Sequence, residues 1–186
     1  MKLLQFVKNQ TQLDDKLLLI LEKEVKTQTF KKGEHIYLPD NHNQMVYFLE
    51  EGLTRMYYNK EDKSITHFFF TEGTFFLSLE SVIYGKNCPY GMECLENCKV
   101  TYMHYNQLLE ITKHHPELEV IMRNVILESL YNLSNRLKSI QFQTAEERYN
   151  ELITNQPSII QRVNLGHIAS YLGISQPTLS VIRAKK

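Results

Sequence analysis

Apolar and polar residues alternate along this chain with a period that changes from region to region. Over residues 11–25 the apolar positions Leu13, Leu17, Leu18, Ile20, Leu21 and Val25 fall on one helical face, with Asp14 and Asp15 early in the segment. From residue 29 to about 102 the texture shifts to short β-branched and aromatic runs. These are cut by turn signals at Lys32-Gly33, Pro39-Asp40-Asn41, Glu51-Gly52, Glu72-Gly73 and Gly85-Lys86-Asn87. The runs predict strands over 35–38, 45–49, 54–58, 64–70 and 100–104. Nothing between them leaves room for crossover helices, so a sandwich or barrel is expected. Residues 104–115 predict a short helix that stops near Pro116.

The longest periodic segment follows, over 117–140. Ile126, Leu130, Leu133, Leu137 and Ile140 repeat with 4-3-4-3 spacing, and Met122 extends the row upstream. Such a narrow stripe serves either as plain core or as a coiled-coil seam. A long helix between two domains, polar on its other faces, fits a dimer interface better. Thr144-Ala145-Glu146-Glu147 reads as a capping box that opens the next helix, which Pro157 closes. The hinge therefore falls near 141–143, dividing the chain into a β domain (1–116), a dimerisation helix (117–141) and a helical C-terminal domain (142–186).

That last domain carries the most informative pattern. Gly173 takes the place of a turn glycine, with Ile168, Leu172, Ile174, Leu179 and Ile182 as apolar positions around it. Ala169 supplies the small residue where two short helices cross at a steep angle. Ser175 can cap the second helix, and Pro177 stands in its first turn, where a missing N–H costs nothing. The spacing predicts a DNA-binding helix-turn-helix. From Leu152 onward there is no Asp or Glu, whereas Arg162, Arg183, Lys185 and Lys186 are basic. The whole chain is neutral, with 21 basic and 21 acidic residues among 186, so the asymmetry is regional and coincides with the motif.

Composition adds bounds. A hydrophobic content of 42% and a charged content of 23% are those of a soluble globular protein. No apolar run is long enough for a bilayer and no secretory leader is evident, so no membrane association and a cytoplasmic location are expected. Cys88, Cys94 and Cys98 are most simply free thiols there. No nucleophile elbow, phosphate loop or carboxylate pair points to an enzyme, and no catalytic residue is assigned.

The order of helix, β-roll, long helix and helix-turn-helix resembles the Crp/Fnr family of transcription regulators along essentially the whole chain. The resemblance is carried by Phe30-Lys31-Lys32-Gly33-Glu34, by the run from Val46 to Arg55, by Glu72-Gly73, and by the run from Ile168 to Ser175. It implies an α+β protein: an antiparallel β-roll (jelly-roll) with flanking helices, a dimerisation helix and a winged-helix-type domain. Cyclic-nucleotide-binding members hold the ribose with a Glu and the cyclic phosphate with an Arg. The matching stretches here are Leu77-Ser78-Leu79 and Cys88-Pro89-Tyr90-Gly91, and no Lys or Arg lies between Lys86 and Lys99. An anion would lack its bidentate partner, so cyclic AMP and cyclic GMP are not expected to bind, and no cofactor is predicted.

Aromatic residues fill that region instead, and Phe68, Phe70, Phe75, Phe76, Leu77 and Tyr90 are candidates either for roll core or for an apolar effector pocket. The seven histidines show no ligand spacing beside the cysteines, and no metal is assigned. Relatives place Arg, Glu and Arg where this chain has Gln176, Pro177 and Val181, so its base preference should differ. Gln176 can read adenine, and Pro177 or Val181 can touch a thymine methyl. Ser175, Thr178, Ser180, Arg183 and Lys185 are placed for the backbone. Little sequence remains after the second helix for a wing. The reading is a homodimeric regulator that binds double-stranded, palindromic DNA, with RNA polymerase as a further candidate partner. Its rival is a cyclic-nucleotide-type interaction module whose helix-turn-helix is degenerate.

Overall fold

A computed structural model describes residues 1–10 and 15–184. Two N-terminal helices, α1 (Lys2–Gln10) and α2 (Asp15–Glu24), precede eight strands. The strands are β1 (Lys26–Phe30), β2 (His35–Tyr37), β3 (Met45–Glu51), β4 (Thr54–Lys60), β5 (Lys63–Phe70), β6 (Phe75–Phe76), β7 (Gly91–Cys94) and β8 (Cys98–His104), with α3 (Leu79–Tyr84) between β6 and β7. Pairing is antiparallel throughout. It gives two four-stranded sheets, in the orders β1-β8-β3-β6 and β2-β7-β4-β5. Alternate residues of the facing strands meet between the sheets, and Tyr37, Tyr47, Leu49, Phe76, Cys88, Met92, Cys94, Cys98 and Val100 form that core. All three cysteines are free and buried in it.

The helices that follow are α4 (Tyr105–His114), α5 (Glu117–Phe142), α6 (Ala145–Asn155), α7 (Pro157–Arg162), α8 (Leu165–Leu172) and α9 (Gln176–Ala184). The predicted helix over 117–140 is α5, at 26 residues the longest element. The capping box forms: Thr144 Oγ1 accepts from the Glu147 amide at 3.2 Å, and the Thr144 amide donates to Glu147 Oε2 at 2.7 Å. Pro157 stands in the first turn of α7, so it opens a further helix besides following the end of α6. Among the described residues no strand follows α9. Of the predicted N-terminal helix, residues 11–14 lie outside the described residues and the remainder is α2.

Two further cores lie outside the roll. In one, Leu3, Val7, Leu17, Leu21 and Phe48 enclose Leu118 and Ile121, the first buried residues of α5. Buried Glu50 fixes α1 in that core. Its carboxylate accepts from the backbone amides of Lys2 (2.6 Å) and Leu3 (3.3 Å) and from Thr101 Oγ1 (2.9 Å). An anion at a helix N-terminus meets unpaired amides and the positive end of the helix dipole. The other core belongs to the C-terminal helices, where Tyr149, Leu152, Ile159, Val163, Ile168, Ala169, Leu172, Leu179 and Ile182 gather with Leu53 and Leu95 of the roll. The C-terminal domain is thus packed onto the β domain.

Candidate nucleic-acid interface and dimer seam

The turn between α8 and α9 follows its sequence. Gly173 adopts φ 69° and ψ 32°, the left-handed conformation glycine takes without strain. Its neighbour Ile174 donates back to Ala169 O at 3.0 Å, and Ser175 Oγ accepts from the Thr178 amide at 3.2 Å to cap α9. Ile168, Ala169, Leu172, Leu179 and Ile182 are buried, which fixes the orientation of α9 against α8. The opposite face of α9 is open: Gln176, Pro177, Thr178, Ser180, Val181 and Arg183 are all exposed, as is the cap residue Ser175. The structure therefore brings seven of the eight sequence-predicted DNA-facing residues onto or beside one solvent-facing helix surface, and Lys185 lies outside the described residues. Two of them have local bonds of their own: Thr178 Oγ1 is 2.8 Å from Ser175 Oγ, and Ser180 Oγ donates to Gln176 O at 3.1 Å.

Arg162 is spent elsewhere. It donates to Glu72 (2.7 and 3.2 Å) and to both carboxylate oxygens of Glu96, joining α7 to two turns of the β domain. Burial works to raise the Glu72 carboxyl, but hydrogen bonds from Arg162 and from backbone amides, including Gly52, outweigh it and hold the group below its usual value. Further contacts tie α8 to the roll. The Thr66 amide of β5 donates to Ser170 Oγ at 2.9 Å, and the rings of Phe69 and Tyr171 lie 5.1 Å apart. Arg136 of α5 sits 3.8 Å over the Tyr171 ring and donates to its carbonyl, while Arg148 donates to Leu172 O at 2.9 and 3.1 Å. Sequence reasoning missed this interdomain set. Its partners stand 35 to 104 residues apart, and no local pattern marks them.

On α5 the predicted seam is an uncovered stripe. Ile126, Leu130, Leu133, Leu137 and Ile140 are 62, 59, 48, 54 and 54% exposed, and Met122 is half-buried at its upstream end. Burying such a row releases roughly 25 cal/mol per Å² of apolar surface, so its exposure in one chain is a face without a partner.

Residues 78–88 are held by hydrogen bonds of their own. Ser78 caps α3 through the Ser81 amide (3.3 Å), Ser81 Oγ donates to Lys86 O (2.8 Å), and Cys88 is fully buried beside Tyr37. Arg55, a buried cation of the roll, is committed: it donates to Glu93 at 2.7 and 2.6 Å and to Thr66 Oγ1 at 3.1 Å. Of the six candidate effector residues, Phe70, Phe76 and Tyr90 share the roll core cluster. Phe76 stacks on Tyr47 at 5.0 Å and packs with Phe70 in the roll core. Tyr90 stacks on His67 at 5.4 Å, and Phe68 meets the edge of that imidazole. Burial, then the charge of Arg136, holds His67 below its usual value. Leu77 is half-buried, and Phe75 faces the other way, against Phe6 and Phe48. Phe75 alone of the six lines a cavity of about 130 Å³ outside the roll, between α1, α2, the β3 side of the first sheet and α5. Among the described residues no group of three or more His, Cys, Asp or Glu side chains could hold a metal ion.

Residues 27–115, a little under half of the chain, match the cyclic nucleotide-binding domain family. As a whole the chain has the β-roll-plus-helices fold of the Crp/Fnr regulators. A variant of CooA from Carboxydothermus hydrogenoformans superposes with a TM-score of 0.73 at 20% identity, over 96% of this chain and 81% of that one. CLP of Xanthomonas campestris, a c-di-GMP-responsive global regulator, gives 0.74 at 13% identity, over 92% and 91%. The catabolite activator protein of Thermus thermophilus gives 0.57 at 13%, over 94% and 84%. No curated protein matches the chain in sequence. Among the described residues no helix is long and apolar enough to cross a membrane.

Proposed function

We propose that the protein is a homodimeric DNA-binding transcription regulator that does not respond to cyclic nucleotides. The observation that carries this reading is α9: a short helix anchored by Leu179 and Ile182 with its other face open, on a fold shared with known regulators. The exposed stripe of α5 supplies the two-fold contact. A parallel pairing along it would set two copies of α9 side by side, as entry into successive major grooves ~34–36 Å apart requires. Gln176 is the base reader, able to pair bidentately with adenine. Arg183 and Lys185 are backbone anchors. Arg55, the buried arginine of the roll, is taken up by Glu93, so a cyclic phosphate would not find it free.

Binding-site selection with the full chain tests the reading. A palindromic consensus bound by a dimer is the expected result, and binding that never exceeds that to random sequence would refute it. One observation favours the rival reading of an interaction module: Arg162, counted among the basic residues of this region, is taken up by Glu72 and Glu96. Titration calorimetry with cyclic AMP and cyclic GMP should give no heat of binding at micromolar ligand. Micromolar affinity would show that a cation distant in sequence reaches the site.

A further inference from the structure

The 130 Å³ cavity beside α5 has a chemistry of its own. Its walls are Leu3 and Val7 of α1, Leu21 of α2, Phe48 of β3, and Leu118 and Ile121 of α5, and Met122 and Ile126 also line it further along α5. The polar side chains that border it are turned to other uses. Thr101 Oγ1 donates to Glu50, the Tyr47 hydroxyl donates to Asn43 Oδ1 at 3.1 Å, and the rings of Tyr47 and Tyr102 belong to the roll core. A molecule inside would therefore meet carbon and thioether sulfur, with no charge and no hydrogen-bonding side chain offered to it. Any ionised or strongly polar guest would lose its water without replacement.

The space is also held open. A void collapses when its wall is free to move, but α1 is tied by its first amides to buried Glu50 on β3, and Phe48 is pinned between Phe6 and Phe75 at 5.8 and 4.8 Å. An enclosed apolar cavity of about 150 Å³ takes up benzene in another protein; this one is of similar size but open on the α5 side, where Ile126 is 62% exposed. We propose that this cavity is a binding site for a small uncharged apolar molecule of single-ring size, seated between the N-terminal helices and the first turns of α5. The guest would touch α5 at Ile121 and Met122 and reach Ile126, where the exposed stripe begins. The site shares Met122 and Ile126 with the proposed dimer seam but no residue with α9, so its test and that of DNA binding fail separately.

Toluene is the probe, with benzoate as its charged counterpart. Thermal denaturation of the full chain should show a rise in Tm of roughly 3–6 °C at ten times the toluene Kd, and none with benzoate. Val7→Phe and, on the α5 wall that Val125 also lines, Val125→Phe would each place a ring in the void and should remove most of that rise. A methyl NMR titration of the native chain provides a readout that needs no variant, with shifts expected at Leu21, Leu118 and Ile121. No Tm rise with the native chain, an equal rise in both filled variants, or methyl shifts elsewhere would each overturn the proposal. So would a rise seen only in a Leu130→Lys/Leu133→Lys monomer, because the cavity would then belong to the partner's helix.

Discussion

The two ends of α5 are built from the same kinds of residue and meet opposite surroundings. Leu118 and Ile121 are 4% and 5% exposed, enclosed by α1, α2 and Phe48, whereas Ile126, Leu130, Leu133, Leu137 and Ile140 stand 48–62% exposed. The first pair is covered by the chain's own N-terminal helices; nothing among the described residues covers the row below. Leucine and isoleucine thus do two jobs on one helix, and only the neighbours decide which. Where the stripe passes the C-terminal domain, contact is made from another face, by Arg136 on Tyr171.

This contrast can be broken most severely at the stripe. Leu130→Lys with Leu133→Lys places like charges in an apolar seam, and sedimentation should show complete loss of the dimer with the monomer still folded. A persisting folded dimer would assign the interface elsewhere. The converse change, Ile121→Ala, empties part of a closed core and should lower unfolding stability by about 2–5 kcal/mol in denaturant titration while leaving the dimer constant nearly unchanged. If stability held and association weakened, the two ends would have been assigned the wrong way round.

Smaller effects sharpen the picture at the far side of the hinge. In a two-fold arrangement Gln176→Ala should lose roughly 1–3 kcal/mol of discrimination at the same base pair of each half-site. Arg183→Ala should weaken all sequences alike and lower the salt slope by about one. An Arg183→Ala protein with altered base preference would reverse reader and anchor. The smallest effect concerns Glu72. Its folded carboxyl is held below its ordinary 4.5, so its bond to Arg162 contributes above that pH and is lost as pH falls through the lower folded value. The group is largely open to solvent, so the contribution is well under about 1 kcal/mol. Glu72→Gln should flatten stability against pH by that amount below pH 4.5, and an unchanged slope would remove Glu72 from the domain contact.

Much of this was legible in the chain because it is local. Gly173, Ser175 and the 4-3-4-3 row each need only near neighbours, and the turn glycines marked five of the strands. What escaped was long-range or irregular. β1 reads Lys-Thr-Gln-Thr-Phe and is almost wholly exposed, so it has no apolar alternation to detect. β6 spans two residues, and α1 has two buried side chains whose anchor, Glu50, lies 48 residues away. β7 contains Gly91, where a Cβ would fall 2.5 Å from the Tyr57 ring; glycine there looks like a turn but marks a close approach across the sheet. The aromatic run 68–76 was read as one group, although a strand sends alternate residues to opposite sides and the chain turns before Phe75.

The bond between the Thr66 amide and Ser170 has a consequence for how freely the C-terminal domain can leave. β5 is the outermost strand of its sheet, and Thr66 offers an amide there that no neighbouring strand accepts. With α8 in place the strand is capped; without it, a run containing Phe68, Phe69 and Phe70 would present bare amides and rings to any passing strand. Any large swing of the helix-turn-helix therefore opens a template for aggregation, and protein kept undocked should precipitate or form β-linked oligomers at concentrations the docked form tolerates.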